Sequence, residues 1–220
     1  AAEPEPSQPK DTQVDDDGSN EPPVERDAVS EPDNETAASH QYRQTVLGDH
    51  SHQAHRFHDD DYASTLRQMA MTVLEQEAPI REDLLAQRIA RSHGFARTGA
   101  KIRERVNSLL EEVESTEESV GRFLWNGEST PTIPFRQHAS EEDRRSVDEI
   151  PLPELCGLVL SGRELLAEDD PVVPLARIIG LGRVAKSARA RIEEAIHKAR
   201  ALRLTDSSAE QSSVDEVEQE

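Results

Sequence analysis

Apolar residues return at helical spacing along much of the chain's middle, and their grouping sets the element boundaries. Leu66, Met69, Ala70, Val73 and Leu74 predict an amphipathic helix over 63–76. Pro79 and Ile80 break it. Glu82 and Asp83 suit the first turn of a second helix, with Leu84, Leu85 and Ile89 as its buried stripe. Gly94 is placed to stop that helix, because a helix end favours a residue that adopts the left-handed conformation. A third helix, from Thr98 to Val113, carries Ile102, Val106, Leu109, Leu110 and Val113 on one face. At 100° per residue, Arg97, Lys101, Arg105 and Ser108 fall on the other. Val120, Phe123, Leu124 and Trp125 then read as a strand, with Asn126-Gly127 as a turn signal.

Three helices followed by a short hairpin predict a winged-helix-like unit over 62–130, with Arg122 on the wing. Pro131, Pro134 and the charged run Glu141 to Arg145 form a connector over 131–149. Pro151-Leu152-Pro153 opens a second helical unit over 150–205. Leu155, Leu158, Val159 and Leu165 mark its first helix, Pro171 to Ile179 its second, and Ala185 to Leu202 a long third. The stripe of that third helix is Ala188, Ile192, Ala195, Ile196 and Ala199, opposite Arg183, Lys186, Arg191 and Lys198. The two units echo each other: ARSHGFARTGAKIRERVNSLL from Ala90 and ARIIGLGRVAKSARARIEEAI from Ala176 share six of 21 positions at an offset of 86. Gly94/Gly180, Arg97/Arg183, Arg103/Arg189 and Arg105/Arg191 are among the matches. The fold class expected is therefore mainly α, a winged-helix-like unit followed by a degenerate helix-turn-helix copy without a wing.

Charge sharpens the domain limits. The net charge is -20, yet residues 61–205 hold 21 basic against 24 acidic residues, so the acidity lies in the ends. Residues 1–61 and 206–220, rich in Glu, Asp, Ser and (at the start) Pro, lack any apolar period and are expected to be disordered acidic tails. No stretch has the length and apolarity expected of a membrane span, and the opening residues lack the charged-then-apolar pattern expected of a leader. The first residue is Ala1 rather than Met, which with the acidic opening suggests a piece of a larger protein. The single Cys156 excludes an internal disulfide and fits a cytoplasmic setting.

Candidate chemistry centres on positive charge. The third helix starts basic and ends with Glu111, Glu112 and Glu114, the reverse of what the macrodipole favours. A cationic helix start suits phosphate and base edges, so Arg97, Lys101, Arg105 and Arg122, with Arg183, Lys186 and Arg191 in the second copy, are the candidate nucleic-acid contacts. The alternative is a solvated face, with Arg97, Lys101 and Arg105 paired to Glu104, Glu111 or Asp83 and Arg103 packed beside the core. In that case the chain is a docking module for protein surfaces. No catalytic residue is assigned: there is no GxxxxGK[ST] loop, no nucleophile motif, and only four Lys for a nuclease centre that needs one beside its acids. No cofactor is implied. His50, His52, His55 and His58, followed by Asp59 to Asp61, can be imagined around a transition metal, but they lack the fixed spacing of a zinc site and read as a solvated linker.

The run from Ala78 to Val113 resembles the family called domain of unknown function 3320. The likeness rests on Glu82-Asp83-Leu84-Leu85, Arg88, Gly94-Phe95, Arg97-Thr98-Gly99, Ile102-Arg103-Glu104-Arg105, Phe123-Leu124-Trp125 and Ile150-Pro151. It covers about residues 65–155 well and the second unit loosely, where Arg183-Val184-Ala185 stands for Arg-Thr-Gly. The resemblance implies a C-terminal appendage of large superfamily 1 helicase-type ATPases that often carry a restriction-endonuclease-like domain. Its expected partners are accordingly DNA or RNA, or the upstream helicase and nuclease domains of the parent protein; it implies no activity for the appendage itself.

Overall fold

The computed structural model describes residues 41–217, with side chains through Thr205. Most of the expected acidic N-terminal linker, residues 1–40, lies outside the described residues, as do residues 218–220. The described residues are mainly helical with two small sheets. Among the described residues no helix is long and apolar enough to cross a membrane.

In chain order the elements are β1 (Gln41–Tyr42), α1 (Ala63–Glu77), β2 (Ile80–Arg81), α2 (Glu82–Ser92), α3 (Ala100–Ser108), β3 (Ser115–Glu118), β4 (Gly121–Leu124), β5 (Gln137–His138), α4 (Leu152–Ser161), α5 (Val172–Ile179) and α6 (Lys186–Val217). β2, β4 and β3 form an antiparallel sheet in that order, with Ile80 opposite Leu124 and Thr116 opposite Phe123. β1 and β5 pair in parallel, Gln41 beside Gln137.

Two apolar cores follow from the helical stripes. The first gathers Leu66, Met69 and Val73 of α1, Leu85 and Ile89 of α2, Ile102 and Val106 of α3, and Leu124 of β4. The second gathers Leu155 and Val159 of α4, Leu175 and Ile179 of α5, and Ile192 and Ile196 of α6, with Ile150. Each large side chain taken fully out of water contributes roughly 1.5–3 kcal/mol. The spacing of 86 extends beyond the matched run into the cores: Leu66/Leu152, Met69/Leu155, Val73/Val159, Val106/Ile192 and Leu110/Ile196 are all buried. α3 and α6 start at Ala100 and Lys186, the same spacing apart.

The structure corrects four boundaries. Residues 41–61, expected as part of the linker, are built into the fold. Tyr42 and Phe57 are buried, and 3-10 turns span Ser51–Arg56 and Asp60–Tyr62. The signal was faint because single aromatics in a polar run show no period. The third helix ends at Ser108 rather than Val113, and Leu109, Leu110 and Val113 instead close short turns onto Val106, Asn107 and Leu110 carbonyls. Three glutamates at the negative end of a helix dipole favour that early stop. The hairpin turns at Ser119-Val120, not at Asn126-Gly127. Its first strand, Ser-Thr-Glu-Glu, has no apolar alternation to announce it. Finally, the backbone of α6 continues to Val217, past Leu202 and into the expected tail, since extending a helix is easier than starting one.

Candidate nucleic-acid interface

The two helix-turn-helix corners are built by the same hydrogen bonds. In the first, the Phe95 amide donates to the Ala90 carbonyl at 3.1 Å and the Gly94 amide to Arg91 at 2.9 Å. In the second, Leu181 donates to Ala176 at 2.8 Å and Gly180 to Arg177 at 3.0 Å. This is the Schellman closure of a helix end, and its left-handed residue is glycine in both copies, at φ 76° and 91°. Phe95 and Leu181, the apolar residues after those glycines, pack on their respective cores. The next helix begins in the same way, with Arg103 donating to the Gly99 carbonyl and Arg189 to Ala185.

On this common frame the basic residues divide into two groups. Arg97 and Arg183, at equivalent positions after the glycine, are exposed. So are Lys101 of α3 and Lys186, the first residue of α6. Among the described residues none of the four has an ion pair. The exposed Glu104 is the one acid within α3. Arg103 is exposed too, its guanidinium donating to the Thr98 carbonyl at 2.8 Å, rather than packed beside the core.

The other candidates are engaged inside the molecule. Arg105 donates to the Asp59 carbonyl at 2.8 Å and faces Asp60 at 3.6 Å, so it anchors the 41–61 segment to α3. Arg122 of β4 pairs with Glu82 at 3.1 Å, and Asn107 of α3 donates to the same carboxylate. Asp83, the acid imagined against α3, chelates Arg81 instead at 2.6 Å. Arg191 is only 2 % exposed, contrary to its expected place on the outer face of α6. It donates to Glu118 at the hairpin tip, to Glu194 at 3.1 Å and to the Ile150 carbonyl at 3.3 Å. Glu118 also accepts from the Leu152 amide at 3.0 Å, and Ser119 donates to Glu194 at 2.8 Å. The hairpin tip is therefore docked against α6 and the start of α4. Burial pushes the Glu118 carboxyl above its ordinary range, against the pull of Arg191.

A second polar cluster escaped the sequence reading. Glu77, at the end of α1, accepts from the Tyr42 hydroxyl at 2.5 Å, the Thr45 amide at 2.8 Å and Arg88 at 3.2 Å. Arg136 bridges from there: it donates to the Glu77 and Ala78 carbonyls and pairs with Glu154 at 2.8 Å. Arg145 closes the cluster on Glu154 at 2.5 Å and lies 4.0 Å from the Tyr42 ring centre. Burial opposes the charge on Glu154, but the Arg145 and Arg136 guanidiniums outweigh it and hold the carboxyl below its usual range. The one available signal was an acid inside an apolar helix, Leu152 to Leu160.

His50, His52, His55 and His58 do not assemble into a metal centre, and among the described residues no three His, Cys, Asp or Glu side chains do. His50 instead lies 5.6 Å from the His93 ring. Residues 55–104 match the model of the family described as a protein of unknown function, DUF3320. That stretch contains α1, α2 and the free basic start of α3. No curated protein and no solved structure matches the chain.

Proposed function

We propose that this chain is a non-catalytic nucleic-acid-binding module whose contacts are made by the free basic residues at its helix-turn-helix corners. The observation that carries the reading is the division of arginines across the repeat. Positions 103/189 and 105/191 are bonded within the protein, whereas Arg97 and Arg183 are left exposed at the same corner in both copies. Two exposed cations held at the same place by a duplicated turn suit phosphates. Lys101 and Lys186 extend each site, while Arg105, Arg122 and Arg191 leave the set because their partners lie inside the fold.

The element order α1–β2–α2–α3–β3–β4, with the sheet order β2-β4-β3, supports a winged-helix reading of residues 62–130. Its wing would serve as an internal strut rather than a groove contact, since Glu118 and Ser119 are spent on α4 and α6. In the setting implied by the family resemblance, such a module holds the substrate of a linked cytoplasmic ATP-driven motor. Cys156 is buried, and burial pushes its thiol up to about 11, away from the reactive thiolate form.

Duplex-DNA and duplex-RNA titrations of the full chain at several salt concentrations test the reading. The wild type should lose affinity steeply with salt, and Arg97→Glu with Lys101→Glu should weaken binding at least tenfold and lower the salt slope by about 2. Unchanged affinity in the double variant, or no salt slope, removes nucleic acid from the function. The alternative, a module that docks on a protein partner or on other domains of the parent protein, would then stand.

A further inference from the structure

Beyond the basic corners, the surface around Trp125 has the opposite character. Two hollows of about 440 Å³ each adjoin there, sharing Leu74, Trp125, Asn126 and Glu128 in their walls. Met71, Val113, Pro79, Ile133 and Pro134 extend the apolar floor. Trp125 stands between the hollows, its indole N–H fixed by donation to the Thr116 hydroxyl at 3.0 Å. This volume is in the range of sites that accept a few apolar side chains, and a methionine in the floor adapts to different shapes.

The rim is acidic and its charge is largely unspent. Glu75, Glu114 and Glu128 are exposed, and among the described residues none of them has an ion pair. Glu112 has only Arg67, at 3.5 Å. Among the described residues the two cations that reach these hollows are already committed, Arg67 to the Leu109 carbonyl at 2.9 Å and Arg136 to Glu154 and two backbone carbonyls. A phosphate backbone would be repelled here, and a small cation would leave the apolar floor uncovered.

We infer that this groove binds a segment of another polypeptide, one that places apolar side chains in the two hollows and Lys or Arg against Glu75, Glu112, Glu114 and Glu128. The apolar pair seats on Met71 and Val113 in one hollow and on Ile133 and Pro134 in the other, with the buried Trp125 as the wall between them. The basic residues match the rim, which gives charge complementarity and a salt-sensitive encounter rate. The site shares no residue with the basic corners, so nucleic acid there and a basic partner here would occupy different surfaces.

Trp125 is the chain's only tryptophan, which makes its fluorescence a built-in reporter. The test titrates the full chain with a synthetic helical peptide of Leu and Lys, and with its Leu/Glu counterpart. The expected result is a saturable change in Trp125 emission with the Leu/Lys peptide alone. Replacing Glu112, Glu114 and Glu128 with Gln should weaken that binding at least tenfold, while the same charge change at Glu164, Glu168 and Asp169 (E164Q, E168Q, D169N) should leave it within twofold. Equal weakening by the two sets means non-specific attraction to an acidic protein and overturns the site. So does an emission change that is absent, or equal with the Leu/Glu peptide.

Discussion

Arg105 and Arg191 sit at equivalent positions of the repeat, and both face acids, but their surroundings differ. Arg105 is partly buried but its partner Asp60 is fully exposed, where an ion pair is worth at most about 1 kcal/mol. Arg191 and Glu118 are 2 % and 5 % exposed in their side chains, where removing one partner strands a charge at a cost of about 3–5 kcal/mol. Arg191→Met should therefore lower unfolding free energy in urea by about 3–5 kcal/mol, whereas Arg183→Met should stay within about 0.5 kcal/mol of wild type. Equal losses in the two variants would mean that Arg191 does not clamp the hairpin to the second unit. The sequence offered identical letters at the two positions. It is the acid brought from a distant hairpin that makes one of them a structural residue.

At the scale of elements, the helices were legible because each carries its own apolar stripe, and both corners were legible because their glycines stop the helices. The segments between them were not. β3 lacks alternation, and the connector that carries Arg136 and Arg145 reads as a charged loop although Arg145 is 7 % exposed. What positions that connector is a close approach at Gly157 of α4, where a Cβ would lie 1.9 Å from the Ile133 carbonyl oxygen. The Ile133 amide is tied to the same helix through the Pro153 carbonyl at 3.2 Å. Gly157→Ala should consequently push the connector off α4 and destabilise the protein by about 1–3 kcal/mol or more, despite alanine's better helix propensity. A thermal unfolding comparison decides it, since an unchanged or raised Tm would show that the connector shifts freely.

For the whole molecule, acid sensitivity follows from the buried titratable groups. Burial lowers the affinity of His93 for a proton, and the neighbouring His50 adds to this, against the bond from His93 Nδ1 to the Ile89 carbonyl at 2.8 Å. With its folded value below the ordinary 6.5, the unfolded chain takes up the proton first, so stability is lost as pH falls below that value. Glu154 acts in the same direction at lower pH: its stabilisation holds above 4.5 and fades as pH drops through its depressed folded value. Glu118 opposes both, because its raised value makes the fold bind a proton before the unfolded chain does. His93 therefore draws Tm down as pH falls below 6.5, and His93→Gln should flatten that part of the profile while leaving the contribution of Glu154 below pH 4.5. An unaltered profile in the variant would place the sensitivity elsewhere.

The sequence by itself determined what local chemistry specifies: two sets of amphipathic helices, their repeated glycine-stopped corners, and a basic start to the helix after each corner. A helix stripe and a left-handed stop are encoded within a few residues, so they survive without knowledge of the rest of the chain. Tertiary structure alone decided which arginines remain available. Glu118, Asp60 and Glu82 reach their basic partners from 73, 45 and 40 residues away, and no local pattern records such distances. The same long-range packing drew residues 41–61 into the fold and set Trp125 between two hollows, because burial of a lone aromatic depends on neighbours that arrive from elsewhere in the chain.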